Sequence, residues 1–328
     1  MRSPIGAGSL RTWCERHLGS PPAEELFATG NLAKVYGLRL GDGREVVVKV
    51  RPAEERLTGC AAVQRHLWQA GFPCPEPLAG PLPLSPPSPH PDQSSPQLPV
   101  PAVSAEALLT GGRPFPASAG PERAQAFAAL LARFIAVAPH PSQVPDLDPP
   151  PAWIHWDHGL PGLWPPPDDR DADLNDQPGS AWLDAFGHAA RAVLLPARAA
   201  PRVIGHCDWE SHNLDFRDGE PWAVHDWDSV VSAPEPVIVG VAAAMWPADV
   251  GCHGATVVQS EQFLEAYQGS RGVPFRADEL AQTWAAGLWI RAFNAKKWLL
   301  DGRESLSADE AEERLRRAGG SLKAATGL

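Results

Sequence analysis

The chain has 328 residues, 44% of them hydrophobic, which is enough for a sizeable core and for two lobes. Its 39 acidic residues outweigh 28 basic ones, giving a net charge of −11; this disfavours nucleic acid or an anionic membrane as partner and suits a cationic one. The five cysteines are an odd number without a C-x-x-C pair, so they fit neither a disulfide framework nor a structural zinc site, and a reducing cytoplasm is expected.

The first nineteen residues, MRSPIGAGSLRTWCERHLG, carry no apolar stretch of signal-peptide length. Residues 1–29 read as short helical pieces around Pro21-Pro22. A hairpin follows: Lys34–Leu40, a turn at Gly41-Asp42-Gly43, then Arg44–Val50. In the second strand Val46, Val48 and Val50 share one face; Glu45, Val47, Lys49 and Arg51 share the other. Ala53–Ala70 reads as a helix with an apolar face including Leu57, Cys60, Val63 and Leu67, ended by Gly71 and Pro73. Residues 73–101 are dense in proline, which removes backbone donors. Leu78–Leu84 reads as a strand approach and residues 85–97 as a flexible insertion. Val100–Leu109 is a further strand, leading to Thr110-Gly111-Gly112.

Pro121–Val137 is a helix, with proline in its first turn and Phe127, Leu130, Leu131 and Phe134 at helical spacing. Residues 139–179 form an irregular insertion holding Trp153, Trp156, Trp164 and the acidic run from Asp168 to Asp176. Its tryptophans read as pins for a long loop and its aspartates as solvated, with a cation-binding surface as the alternative. Ser180–Leu195 is helical, Ser229–Pro236 reads as loop, and helices at Gln259–Gln268, Ala277–Leu300 and Ala308–Ala318 close the chain. The longest apolar run, Val237–Trp246, is about half of what a membrane span needs.

The chemistry concentrates in Ile204 to Asp228, IGHCDWESHNLDFRDGEPWAVHDWD. Leu214–Arg217 and Trp222–His225 read as the strands of a hairpin turning at Asp218-Gly219. Its outer ends meet, so Asn213 and Asp226 lie close together and Asp208 falls in the loop before the first strand. Two carboxylates and an amide oxygen converging on one spot suit a hard cation such as Mg2+.

His206-Cys207-Asp208, Asn213 and Asp226-Trp227-Asp228 resemble the catalytic loop and metal motif of the aminoglycoside phosphotransferase and choline kinase-like family. The resemblance implies an α+β, bilobal protein-kinase-like fold: a small β-rich lobe over residues 1–109, with the 85–97 insertion, and a larger, mainly helical lobe over 110–328. It implies ATP and Mg2+ as cofactors and a small-molecule hydroxyl, cationic in an aminoglycoside or amino alcohol, as acceptor. It makes Asp208 the catalytic base, His206 the loop-bracing member of the catalytic set, and Asn213 and Asp226 the metal ligands. Lys49 becomes the lysine that pairs with ATP phosphates, where an edge-strand lysine guarding against aggregation is the plainer reading. Gly30 and Asn31 fall in the phosphate-covering loop, and the backbone at 110–112 becomes the adenine-binding hinge.

Two departures stand out. The family expects a helix glutamate beside the lysine, but that alignment reaches Cys60 or Ala61, so either Glu55 at the helix start serves or Lys49 lacks its usual orienter. The aspartate that props the family's catalytic loop is missing from Pro236–Ala242, with Asp228 or Glu235 as substitutes. Two other readings remain: a metal-dependent hydrolase using His206, Asp208, His212, His225 and Asp226, and a nucleotide-binding module with little turnover.

Overall fold

The structure of the protein, a computed structural model, describes residues 7–30, 33–84, 100–116, 120–249 and 254–322. Asn31 and the proline-rich 85–97 segment lie outside the described residues. The small lobe is built from α1 (Ala7–Leu18), β1 (Pro22–Thr29), β2 (Lys34–Leu40), β3 (Glu45–Arg51), α2 (Arg56–Gln69), β4 (Pro77–Pro83) and β5 (Ala102–Ala107). The five strands form one antiparallel sheet in the order β1-β2-β3-β5-β4.

The alternation in β3 decides how this sheet is used. Val46, Val48 and Val50 are buried against Leu10, Trp13 and Cys14 of α1. Burying each valine contributes about 1.5–3 kcal/mol. The opposite face carries Lys49 and Arg51 towards α2 and the large lobe. Residues 22–29 correct the expectation of helical pieces. Ala23-Glu24-Glu25-Leu26 are good helix formers, yet β1 is a largely exposed edge strand whose backbone pairs with β2.

The large lobe begins at β6 (Arg113–Pro114), which pairs with β8 (Leu214–Arg217); β8 in turn pairs with β9 (Glu220–Val224). At Gly112 a side chain would meet Trp222 and Asp215 at 2.4 and 2.7 Å, so glycine is what lets the interlobe strand run against this hairpin. Asp218 and Gly219, with φ of 52° and 83°, supply the left-handed pair that a two-residue turn needs.

A second two-stranded sheet pairs β7 (Arg202–His206) with β10 (Val230–Pro234). Segment 229–236, expected as loop, thus holds a strand and then enters α5 (Glu235–Met245), a helix not expected. Val237 to Met245 are all buried, so α5 shows no polar face and no amphipathic period. It packs on α6 (Val257–Arg271) and α7 (Ala277–Leu299), while α3 (Pro121–Val137) meets α6 and α4 (Ala181–Leu194) meets α7. The last helix is α8 (Ala308–Arg317), packed on α7.

The 139–179 segment is fixed by its tryptophans, as expected. Trp164 is buried and its Nε1 donates to Asp184 at 2.6 Å, and Trp289 of α7 donates to the Trp153 carbonyl at 3.1 Å. Its aspartates are not all simply solvated. Asp169 pairs with Lys297 of α7 at 2.8 Å. Arg291 of α7 is buried and paired with Glu310 at 3.2 Å. Among the described residues no helix is long and apolar enough to cross a membrane.

Candidate active site

β7 delivers His206 into the core and ends there. His206 is fully buried; its Nε2 donates to the His225 carbonyl at 3.0 Å and its Nδ1 accepts from the Asp208 amide at 3.3 Å. The ring therefore ties the loop after β7 to the end of β9. Burial, the largest influence, lowers its pKa against the opposing charge of Asp208. A neutral imidazole in this position braces; it does not face the loop's outer surface.

Cys207 continues the brace, with its N–H and its thiol both 3.0 Å from the Ser229 carbonyl. Trp209 is fully buried and donates to the Phe127 carbonyl of α3 at 3.1 Å. Ser211 donates through its N–H and its hydroxyl to the Ala248 carbonyl, at 3.0 and 2.8 Å. These bonds prop the loop without the family's missing aspartate. Glu235 does not substitute for it: its carboxylate is taken by Tyr267 and Arg271 of α6.

Asn213 sits in a single turn before β8. Its amide nitrogen donates to the Asp208 carboxylate at 2.8 Å and to the Asp208 carbonyl at 2.9 Å. With the nitrogen so engaged, the amide oxygen is the atom left for a cation. The Asn213 carbonyl accepts from the His225 N–H at 2.9 Å, which sets Asp226 beside it across the hairpin's open end. Asp226 adopts the left-handed conformation, with φ 61° and ψ 52°, and accepts from Ser229 at 3.1 Å.

The electrostatics of this end are severe. Burial, then the charge of Asp228, raises the Asp226 pKa; Lys49 acts against them. Burial also works upward on Asp228, but Arg51, the hydrogen bond with Asp226 and Lys49 together hold it below the ordinary carboxylate range. Arg51 and Asp228 form an ion pair between β3 and the metal-motif loop. Glu210, two residues past Asp208, is raised well above the usual range by burial and then by the charge of Asp208. An arrangement of acidic groups that pushes carboxyl pKa values upward favours a cation among them.

Lys49 faces this cluster from the small lobe. Burial pulls its pKa down, but Glu106, then Asp226 and Asp228, more than reverse that, and the net shift is upward. Its ion-pair partner is Glu106 of β5, at 3.3 Å. Glu55 does not take that part: it is exposed just before α2 starts at Arg56. Gly30 follows β1 with φ 125°, and a side chain there would collide with the Ala33 carbonyl, so this position requires glycine.

The sequence reading missed Glu106, Glu210 and Arg56. Glu106 could have been found as the lone charge in the apolar strand Ala102–Ala107, next to the strand of Lys49. Arg56 is buried and donates to the carbonyls of Asp228 at 2.5 Å and Val230 at 2.6 Å, tying α2 to the metal-motif loop. Nothing in its local sequence signals a bond across more than 170 positions.

The hydrolase reading finds no support. Both His206 ring nitrogens are engaged, His225 faces Asp215 at 3.3 Å, and His212 is exposed beside Glu210 at 3.6 Å. Among the described residues no group of three His, Cys, Asp or Glu side chains is arranged to hold a metal.

Comparison with known proteins concerns the fold and the family. The fold is similar to that of an amicoumacin kinase solved with AMP-PNP and Ca2+ (TM-score 0.58, 14% identity, covering 94% of this chain and 90% of that one). It is also similar to a spectinomycin phosphotransferase solved with ADP and spectinomycin (TM-score 0.53, 14% identity, 97% and 94%). A third similar structure is an aminoglycoside phosphotransferase (TM-score 0.52, 16% identity, 98% and 99%). No curated protein matches the sequence. The profile of the phosphotransferase enzyme family, however, matches residues 24–287, from β1 into α7, and the chain therefore belongs to that family, on a bilobal kinase-like fold.

Proposed function

We propose that the protein transfers the γ-phosphoryl group of ATP to a hydroxyl of a small molecule that also bears an amine. The observation that carries this reading is the hydrogen-bonded pair Asp208–Asn213, set beside Asp226 and facing Lys49 of the other lobe. Asp208 accepts or orients the proton of the acceptor hydroxyl. Asn213 holds that carboxylate through its amide nitrogen, and its oxygen, with Asp226, forms the donor set for Mg2+. Oxygen donors of this kind suit Mg2+, which when bound neutralises charge on the phosphates. Lys49 engages the phosphates from β3, and Gly30 shapes the turn above them. His206 positions the loop and does not touch the reacting atoms.

An amine on the acceptor is favoured by the carboxylates around Asp208. Glu210 is a half-buried acid whose pKa is raised by burial and by the charge of Asp208, which a nearby ammonium would relieve, and Asp168 lies within the field of both Asp208 and Lys297. The net charge of −11 acts in the same direction. Amino sugars and amino alcohols are the acceptor classes that satisfy both requirements. Little-turnover binding is the weaker reading, because Lys49 has a carboxylate partner.

The test is ADP release with Mg2+·ATP and a panel of amino sugars and amino alcohols, wild type beside Asp208→Asn. The reading expects turnover on at least one amine-bearing acceptor, reduced about 10²- to 10⁴-fold in the variant with nucleotide binding retained. Turnover unchanged in Asp208→Asn contradicts it.

A further inference from the structure

Lys49 is a buried cation on the cleft face of a β-sheet, and a buried cation needs a fixed counter-charge. The family places that charge on the helix behind the sheet. Here α2 presents Cys60, Ala61 and Gln64 to the cleft, and none is acidic. The carboxylate comes from the neighbouring strand instead. In the β3–β5 pairing Lys49 is opposite Ser104 and Val47 is opposite Glu106, so both charged side chains leave the sheet on the same face.

Glu106 is held on both sides. One carboxylate oxygen lies 3.3 Å from the Lys49 ammonium, with side-chain exposures of only 10% and 14%. The other accepts from the Gln64 amide of α2 at 2.9 Å. The same amide nitrogen also donates to the Pro75 carbonyl at 3.2 Å, which fixes Gln64 in turn. A buried carboxylate with both oxygens committed has little freedom, and it passes that order to the lysine tip.

We propose that Glu106 is the positioning residue for Lys49, replacing the helix glutamate, with Gln64 as its anchor. The proposal rests on the reading of Lys49 as the phosphate-binding lysine. It has a mechanical consequence. Lysine and orienter belong to adjacent strands of one sheet, so the ion pair itself is set by the β3–β5 register. The helix α2 enters only through Gln64, so moving it would release one oxygen of Glu106 without separating the carboxylate from the lysine.

The experiment titrates Mg2+·AMP-PNP into the full chain by calorimetry, with thermal unfolding recorded for each variant. Glu106→Gln keeps the shape and the bond to Gln64 but removes the charge. It is expected to bind about 10- to 100-fold more weakly, the range for losing a charge-assisted contact. Glu55→Gln is expected to bind as wild type does. The exchange Gln64→Glu with Glu106→Gln returns a carboxylate to the same hydrogen-bonded pair from the other side but gives up the bond to the Pro75 carbonyl; it is expected to fold and to regain part of the loss. A role in stability alone would lower the unfolding temperature without that recovery. Undiminished binding in Glu106→Gln, weakened binding in Glu55→Gln, or an exchange variant no better than Glu106→Gln overturns the proposal. If Glu106→Gln does not fold, the exchange variant decides: binding near wild type supports the proposal and binding about 100-fold weaker overturns it. A wild type that binds no Mg2+·AMP-PNP overturns the phosphotransferase reading itself and this proposal with it, whereas binding by wild type that Glu106→Gln leaves unchanged overturns this proposal alone.

Discussion

The side-chain amide of Asn213 donates to the carboxylate of Asp208 at 2.8 Å, five residues back along the chain. One residue thereby holds the Asp208 carboxylate and leaves its own amide oxygen next to Asp226. On the proposed reading, base and cation site are coupled through that single amide. Replacing Asn213 by alanine should therefore harm both: the Mg2+ concentration for half-maximal ADP release should rise about 10- to 100-fold, and the maximal rate should fall as well. Measuring rate against Mg2+ at fixed ATP separates the two effects. A variant with an unchanged Mg2+ requirement would remove Asn213 from the cation site.

Arg56 joins the lobes through two carbonyls of the metal-motif segment, at Asp228 and Val230. Substituting methionine keeps the length and strands both buried acceptors. The expected cost is about 2–4 kcal/mol, read from urea unfolding. A loss below about 0.5 kcal/mol, the usual range for surface changes, would show that the tie contributes nothing.

Within the large lobe, Lys296 of α7 is fully buried and bonded to Asp184 at 2.7 Å and to Ser180 at 2.7 Å. Asp184→Ala leaves that ammonium without its counter-charge and also frees the Trp164 indole N–H. Destabilisation of about 3 kcal/mol is expected, with Lys296→Met costing less because no buried charge remains. Unfolding midpoints of the two variants check the order, and a reversed order contradicts it.

His206 gives a pH dependence. Its folded-state pKa lies below the ordinary 6.5, because the ring is buried. Below pH about 6.5 the unfolded chain takes up a proton there that the folded chain refuses. Stability present above that pH is lost as pH falls, by at most about 1.4 kcal/mol per unit from this group. His206→Gln should be less stable than wild type at pH about 8 yet lose less on going to pH about 5.5. Urea midpoints at the two pH values test this; equal losses would assign the acid sensitivity to other groups.

The parts visible in the sequence are those where a local pattern has one physical solution. Asp218-Gly219 between two short apolar strands demands a tight hairpin, and that hairpin is what gathers Asn213 and Asp226. The period-2 pattern of Glu45–Arg51 puts Val46, Val48 and Val50 in the core and Lys49 in the cleft. What stayed hidden depends on partners distant in the chain. Residues 22–29 have helical composition but pair as an edge strand because β2 is there to accept them. The α5 helix is apolar on every side, so it lacks the period by which a helix is recognised. The family pattern points to a helix for the partner of Lys49, but that partner lies on β5, a relation that only the strand register reveals.

The central claim is that Asp226 and Asn213 hold a divalent cation on a nucleotide engaged by Lys49. Calorimetric titration of AMP-PNP, with and without Mg2+, into wild type and Asp226→Asn tests it most directly. Binding by wild type should require Mg2+ and should weaken about tenfold or more in the variant, whose amide cannot supply the charged oxygen. Equal affinity without Mg2+, or in Asp226→Asn, would contradict the account.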